Sequence, residues 1–256
     1  MLEKQEIIIR QPAEKTICDG KSQACTFCDI LSYEPTHIEE VSLGSLFFIS
    51  RYAKDSEESD SLINLINSTL KRTFYAKPQL GTLESLKASL KETNRLIDEF
   101  LQQHSSVLGN NLFYSFLVVK DQTMHLAASG QNLAWLYRRQ LINLNKTMVP
   151  PPEKQLPGKF FQSLISGELE EGDKIILSTP ALARLVDEEG IKQLLKTKEL
   201  VTGAEKINKL IREAKEISPL AVLLLRYFKE EKEPSQKDDQ NKEHITPPIS
   251  LEEILR

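Results

Sequence analysis

The 256-residue sequence has only three cysteines, one tryptophan and three methionines, and it carries no surplus of positive charge. So few cysteines, and an odd number of them, exclude a disulfide framework; the setting expected is reducing and cytoplasmic. Lys and Arg number 33 against 37 Asp and Glu, a formal net charge of −4. That balance argues against nucleic acid as a partner, because phosphate-binding domains carry a basic excess. No apolar run approaches the roughly 20 residues of a membrane span. The opening Met1-Leu2-Glu3-Lys4-Gln5-Glu6 lacks the charged-then-apolar order of a signal peptide. What is present is 40% hydrophobic and 27% charged residues, enough for one substantial core or two small ones.

Ile7-Ile8-Ile9 before Pro12 reads as a strand that joins a sheet, since so short a strand is not stable alone. Residues 11–36 mix Cys, Gly, Pro, Asp and Ser and read mainly as loop, with a short strand near Phe27 to Leu31. Leu46 to Ile49, after Gly44, reads as a buried strand. From Ser56 the period changes: Leu62, Ile63, Ile66, Leu70 and Phe74 recur at helical spacing behind an acidic first turn. Pro78 and Gly81 end that helix. A second follows with Leu83, Leu86, Leu90, Ile97 and Leu101 on one face.

Residues 113–120, 123–128, 133–138 and 141–144 read as a meander of hairpins, broken at Asp121-Gln122, Ser129-Gly130 and Arg139-Gln140. Lys174 to Ser178 reads as a strand entered by the Gly172-Asp173 turn and ended by Pro180. Helices follow near 187–197 and 203–216, and Leu220 to Phe228 is apolar enough for a central strand. From Lys229 the composition turns to Lys, Glu, Asp, Gln and Ser, as in a disordered tail. Helices do not alternate one-for-one with strands, which disfavours a parallel doubly wound sheet.

This order, with several local phrases, resembles the PPM family of metal-dependent protein phosphatases (type 2C and sporulation-type relatives). The family's strand running into Asp-Gly is matched by Leu46-Phe47-Phe48-Ile49-Ser50, with Arg51-Tyr52 in place of the Asp-Gly. Its Gly-Asp-Ser-Arg phrase and following Tyr-Arg are matched by Gly130-Gln131-Asn132-Leu133 and Tyr137-Arg138. Gly167-Glu168-Leu169 and Gly172-Asp173 are intact, and Ile175 to Ser178 leads to Thr179-Pro180-Ala181-Leu182. Ser218-Pro219 stands where the last strand follows Asp-Asn.

The resemblance covers roughly 44–228. It implies an α+β fold, a PPM-phosphatase-like sandwich of two antiparallel β-sheets flanked by helix pairs in α-β-β-α layers. The organisation that follows is an N-terminal strand and Cys-containing loop at 1–43 that join the sandwich, and a phosphatase-like domain at 44–228. A charged tail at 229–248 and a short apolar motif at 249–256 complete it.

Family members hydrolyse phosphoserine and phosphothreonine with two divalent cations, Mg²⁺ or Mn²⁺, held by carboxylates that lower the pKa of the attacking water. The family ligand positions fall here at Arg51, at Pro180, and at Ser218 or Pro219. None is acidic, and the family's Asn-Glu-Asp phrase has no counterpart between residues 6 and 44. The resemblance thus implies the fold and argues against the activity. The expectation is a pseudophosphatase without cofactor, a regulatory or protein-binding module for an unknown protein partner, phosphorylated or not. The alternative is an active metal-dependent phosphatase with Mn or Mg in a site rebuilt from Asp55, Glu57, Glu58 and Asp60. The bland reading of those acids is a helix N-terminus that complements the dipole.

Three further sets have a bland and a sharp reading. Cys18, Cys25, Cys28 and His37 offer a Cys₃His zinc set; otherwise they are reduced thiols in a loop, with Cys28 packed inward. Arg51 and Lys54, with Arg138, offer an anion site for a phosphorylated partner; otherwise Arg51 pairs with an acid such as Asp55. His104 and His125 show no Ser or Asp partner, so a hydrolytic triad has no support. Finally, Ser250 and Glu253 have capping-box spacing, with Ile249 and Ile254 placed as a staple. Ile249, Leu251, Ile254 and Leu255 on a long tether then read as a docking motif, or as leftover apolar residues at a frayed end.

Overall fold

The computed structural model describes residues 1–9, 17–18, 21–22, 25–54, 57–103, 112–130, 132–147, 160–161, 163–214 and 219–229. In chain order the elements are β1 (Leu2–Ile9), β2 (Ile17–Cys18), β3 (Lys21–Ser22), β4 (Cys25–Tyr33), α1 (Ile38–Val41), β5 (Ser45–Lys54), α2 (Glu57–Tyr75) and α3 (Thr82–Gln103). Then come β6 (Phe113–Lys120), β7 (Thr123–Ser129), β8 (Leu133–Tyr137), β9 (Leu141–Asn143), β10 (Ser163–Glu168), β11 (Lys174–Ser178), α4 (Leu182–Leu185), α5 (Glu188–Leu195), α6 (Leu200–Glu213) and β12 (Leu220–Tyr227).

Two five-stranded antiparallel sheets form, in the orders β1-β12-β11-β8-β9 and β10-β7-β6-β5-β4, beside the small β2-β3 hairpin. The alternation of strand side chains makes three apolar layers. Phe47 and Ile49 of β5 meet Leu117, Leu126, Leu177 and Leu223 between the sheets. Their neighbours Leu46 and Phe48 face the other way, beneath Leu62, Ile66, Leu70 and Leu86 of α2 and α3. On the outer face of the β1-β12-β11-β8-β9 sheet, Ile176, Val222 and Leu224 pack under Leu194, Leu195 and Ile207 of α5 and α6. The expected α-β-β-α layering is what forms, because each helix has one apolar stripe and each sheet has two faces to bury.

The register also identifies the two ends of the sandwich. The start of β5 (Ser45), the end of β6 (Val119) and the end of β12 (Tyr227) line one cavity. The end of β5, the end of β11 and the start of β12 therefore share the opposite end.

Three sequence expectations are corrected. The 113–144 segment is not one meander: β6-β7 and β8-β9 are hairpins in different sheets, and Gly130 (φ 78°) lies at the crossing between them. β10, unforeseen, pairs with β7 from Ser163↔Ala128 to Glu168↔Thr123. Its Gly and two Ser residues hide the apolar alternation of a strand. The stretch read mainly as loop contains the nine-residue β4, all of which pairs with β5.

Candidate functional site

The end of the sandwich where β5 and β11 terminate holds Arg51, Pro180 and Pro219. Arg51 follows Phe47 and Ile49 at every second residue and so projects from the face that looks between the sheets. Its cross-strand partners are Cys28 on β4 and Phe113 on β6. The guanidinium carbon lies 5.0 Å from the Phe113 ring centroid, a stacking that suits a delocalised cation. Gly130 makes room for that ring: a Cβ there would stand 2.4 Å from Phe113 Cδ1. Burial lowers the pKa of Arg51, the positive charge of Arg184 on α4 lowers it further, and Cys28 offsets part of this.

Small polar groups at this end of the sandwich are tied to backbone. Ser115 and Asn132 are buried. Oriented so that its oxygen meets donors, the Asn132 amide accepts from the Ser115 hydroxyl at 3.1 Å and from the Tyr114 and Ser115 N–H groups at 3.2 Å. Thr179 closes β11 onto β12: its N–H donates to the Ala221 carbonyl at 3.0 Å, and its hydroxyl accepts from the Ala221 N–H at 3.2 Å. Pro180 follows directly, and Pro219 is buried just before β12. Ser218 lies outside the described residues.

The acids proposed for a rebuilt metal site are placed differently. Tyr52, the neighbour of Arg51, faces the helix side of the sheet, and its hydroxyl donates to Asp60 Oδ1 at 3.0 Å. Asp60 is thus drawn to the opposite face from Arg51. Asp29 also lies on the helix side, in one cross-strand row with Ser50 and Tyr114. Asp55 and the side chains of Glu57, Glu58 and Lys54 lie outside the described residues. Among the described residues no group of three or more His, Cys, Asp and Glu side chains converges.

Of the zinc set, the two members with described side chains, Cys28 and His37, are not brought together. Cys28 is 2% exposed in the inter-sheet core, within a strand rather than a loop. His37 is exposed beyond the far end of that strand, as the N-cap of α1. The side chains of Cys18 and Cys25 lie outside the described residues.

Arg138 is corrected as an anion-site residue, since it stands at the opposite end from Arg51. Its Nε and Nη2 donate to the Asp173 carboxylate at 2.9 and 2.7 Å, and Nη1 donates to Glu170 at 2.8 Å. The intact Gly172-Asp173 phrase is therefore a structural clamp. His125, read as having no partner, has one: Nδ1 lies 2.7 Å from Ser166 Oγ on β10, the strand the sequence reading missed. Burial lowers the His125 pKa. Seeing this pair required the β7-β10 register, which no local pattern supplies.

No protein-family model matches the chain, and no curated protein sequence matches it. Solved structures do. The serine/threonine phosphatase PstP/Ppp of Mycobacterium tuberculosis is 14% identical with a TM-score of 0.60, over 89% of this chain and 99% of that chain. The PstP catalytic domain in complex with two manganese ions is 15% identical with a TM-score of 0.59, over 88% and 97%. The phosphatase domain of the cell fate determinant SpoIIE of Bacillus subtilis is 12% identical with a TM-score of 0.57, over 97% and 98%. The fold is that of the PPM-type serine/threonine phosphatases. At these identities the likeness concerns the fold alone.

Proposed function

We propose that this chain is a catalytically silent domain of the phosphatase fold that acts by binding a protein partner through the Arg51 end. The observation that carries the reading is the guanidinium of Arg51 facing between the sheets, in the field of a second cation, Arg184. A hard divalent cation requires carboxylate oxygens. The family ligand positions, Arg51, Pro180 and Ser218 or Pro219, supply no carboxylate. Two unit charges of like sign 4 Å apart repel by about 4 kcal/mol at an effective dielectric near 20. These residues do not fit the two-manganese arrangement of the PstP catalytic domain, and no metal-dependent step is derived for them.

The same chemistry suits an anion. Guanidinium groups bind phosphate and carboxylate through paired N–H donors, and the Phe113 ring holds Arg51 in place. The partner proposed is a phosphorylated protein, bound and not cleaved. A cytoplasmic location belongs to the same proposal and is supported by the scarcity of cysteine, three in 256 residues.

Fluorescence anisotropy with a phosphoserine peptide and its unphosphorylated twin tests the reading. Binding should favour the phosphopeptide, weaken about tenfold or more in Arg51→Ala and recover in part in Arg51→Lys, as a charge-assisted hydrogen bond requires. Equal binding of both peptides, or no response to Arg51→Ala, would sink the anion reading.

A further inference from the structure

At the end of the sandwich opposite Arg51, the strand termini leave an open cavity of about 490 Å³. Leu2, Val41, Val119 and Tyr227 supply apolar wall, and Lys229 stands on the rim. The two acids that line it are each already held by a lysine, Glu34 by Lys4 at 2.9 Å and Asp121 by Lys120 at 3.0 Å. Beside it, α1 gives no buried residue to any core. Ile38 is 87% exposed and Val41 42% exposed, one helical turn apart. A short helix that turns its apolar side chains outward next to a part-apolar cavity marks a surface that something covers.

The sequence beyond Lys229 supplies an occupant of matching chemistry. The described chain stops at this rim, and residues 230–248, 19 in all, link it to the 249–256 segment. A random-coil chain of that length has a root-mean-square span of about 25 Å, ample for a return to the cavity from its own edge. Such a tether holds the segment at an effective concentration on the order of 1 mM, so weak contacts suffice. The segment sets Ile249, Leu251, Ile254 and Leu255 beside Glu252 and Glu253, an apolar set with adjoining acids for a wall that is apolar with a lysine at its rim.

We propose that this cavity is the docking site of the chain's own 249–256 segment, its apolar residues against Val41, Leu2 and Ile38 and its glutamates toward Lys229. The docked segment covers the apolar edge of α1 and is withheld from outside partners until displaced. The inference is independent of the reading given to the Arg51 end.

The test uses the full chain with a photoreactive benzoylphenylalanine in place of Leu251, together with amide hydrogen exchange. Cross-links within one molecule to peptides containing Val41 or Leu2 are expected, with a yield that does not change on dilution. Amides of 250–256 should exchange about tenfold slower than in the L251D/I254D double variant. Val41→Glu, at an exposed position, should remove both signals while leaving the unfolding midpoint in place. Cross-links between molecules that grow with concentration would overturn the proposal in favour of a second copy as occupant. Freely exchanging amides without cross-links would overturn it in favour of a segment undocked on its own chain.

Discussion

Asp173 is 1% exposed, yet it carries a carboxylate. Its oxygens are satisfied by Arg138, which donates from two nitrogens, and by the Glu170 N–H, which donates at 2.8 Å. Removing the arginine strands a buried anion, a change that is strongly destabilising even after discounting for the partly solvated Arg138. Arg138→Met should lower stability by about 2–3 kcal/mol in urea unfolding, and the further change Asp173→Leu should restore part of that. His125 gives a pH signature of the other kind. Its folded-state pKa is depressed by burial, so the unfolded chain takes up the proton first. Its contribution is complete above the ordinary value of 6.5 and declines as pH falls from there through the folded pKa. Urea midpoints compared above and below that value should fall in the wild type, and less in His125→Gln. An identical fall in both would assign the effect to other groups.

At the scale of elements, the long amphipathic segments were the legible ones. α2 and α3 announce themselves through helical spacing, and β5, β6, β11 and β12 through dense apolar runs. The edges were poorly legible for a physical reason. β1 reads Leu-Glu-Lys-Gln-Glu before its isoleucines, because an edge strand tolerates and uses charge. β10 is an edge strand too, and its short polar sequence carries no alternation strong enough to read. Joints between elements depend on single residues. Gly44 enters β5 at φ 92°, and a Cβ there would lie 2.3 Å from the Val119 carbonyl oxygen. Its own carbonyl accepts from the Tyr75 hydroxyl at 2.6 Å, which pins the end of α2 to the start of β5. Gly44→Ala should therefore cost about 2–3 kcal/mol of stability, as backbone strain and a forced shift of β6 combine. A shift in melting temperature near zero would show that β6 yields without cost.

For the molecule as a whole, the layered architecture was legible from element order and family phrases, whereas the site was legible only as a set of replacements. The family resemblance singles out Arg51, Pro180 and Ser218 or Pro219 only as the residues standing where it expects metal ligands. That Arg51 meets Phe113 and the field of Arg184, and that Asp60 is drawn to the other face by Tyr52, follows only from the strand register. Non-local pairing of this kind is what a one-dimensional pattern omits. The zinc set shows the same lesson from the other side, since a Cys-x₂-Cys spacing meant for a loop was consumed by a strand. The central claim is that a phosphatase fold here works without phosphatase chemistry. It is met most directly by the turnover of a phosphoester and a phosphopeptide by the purified full chain, titrated with Mn²⁺ and Mg²⁺. The account predicts no hydrolysis above the protein-free control at any metal concentration. Metal-dependent turnover that disappears in Asp60→Asn and survives in Arg51→Ala would contradict it, and would place a working metal centre among the acids at the start of α2.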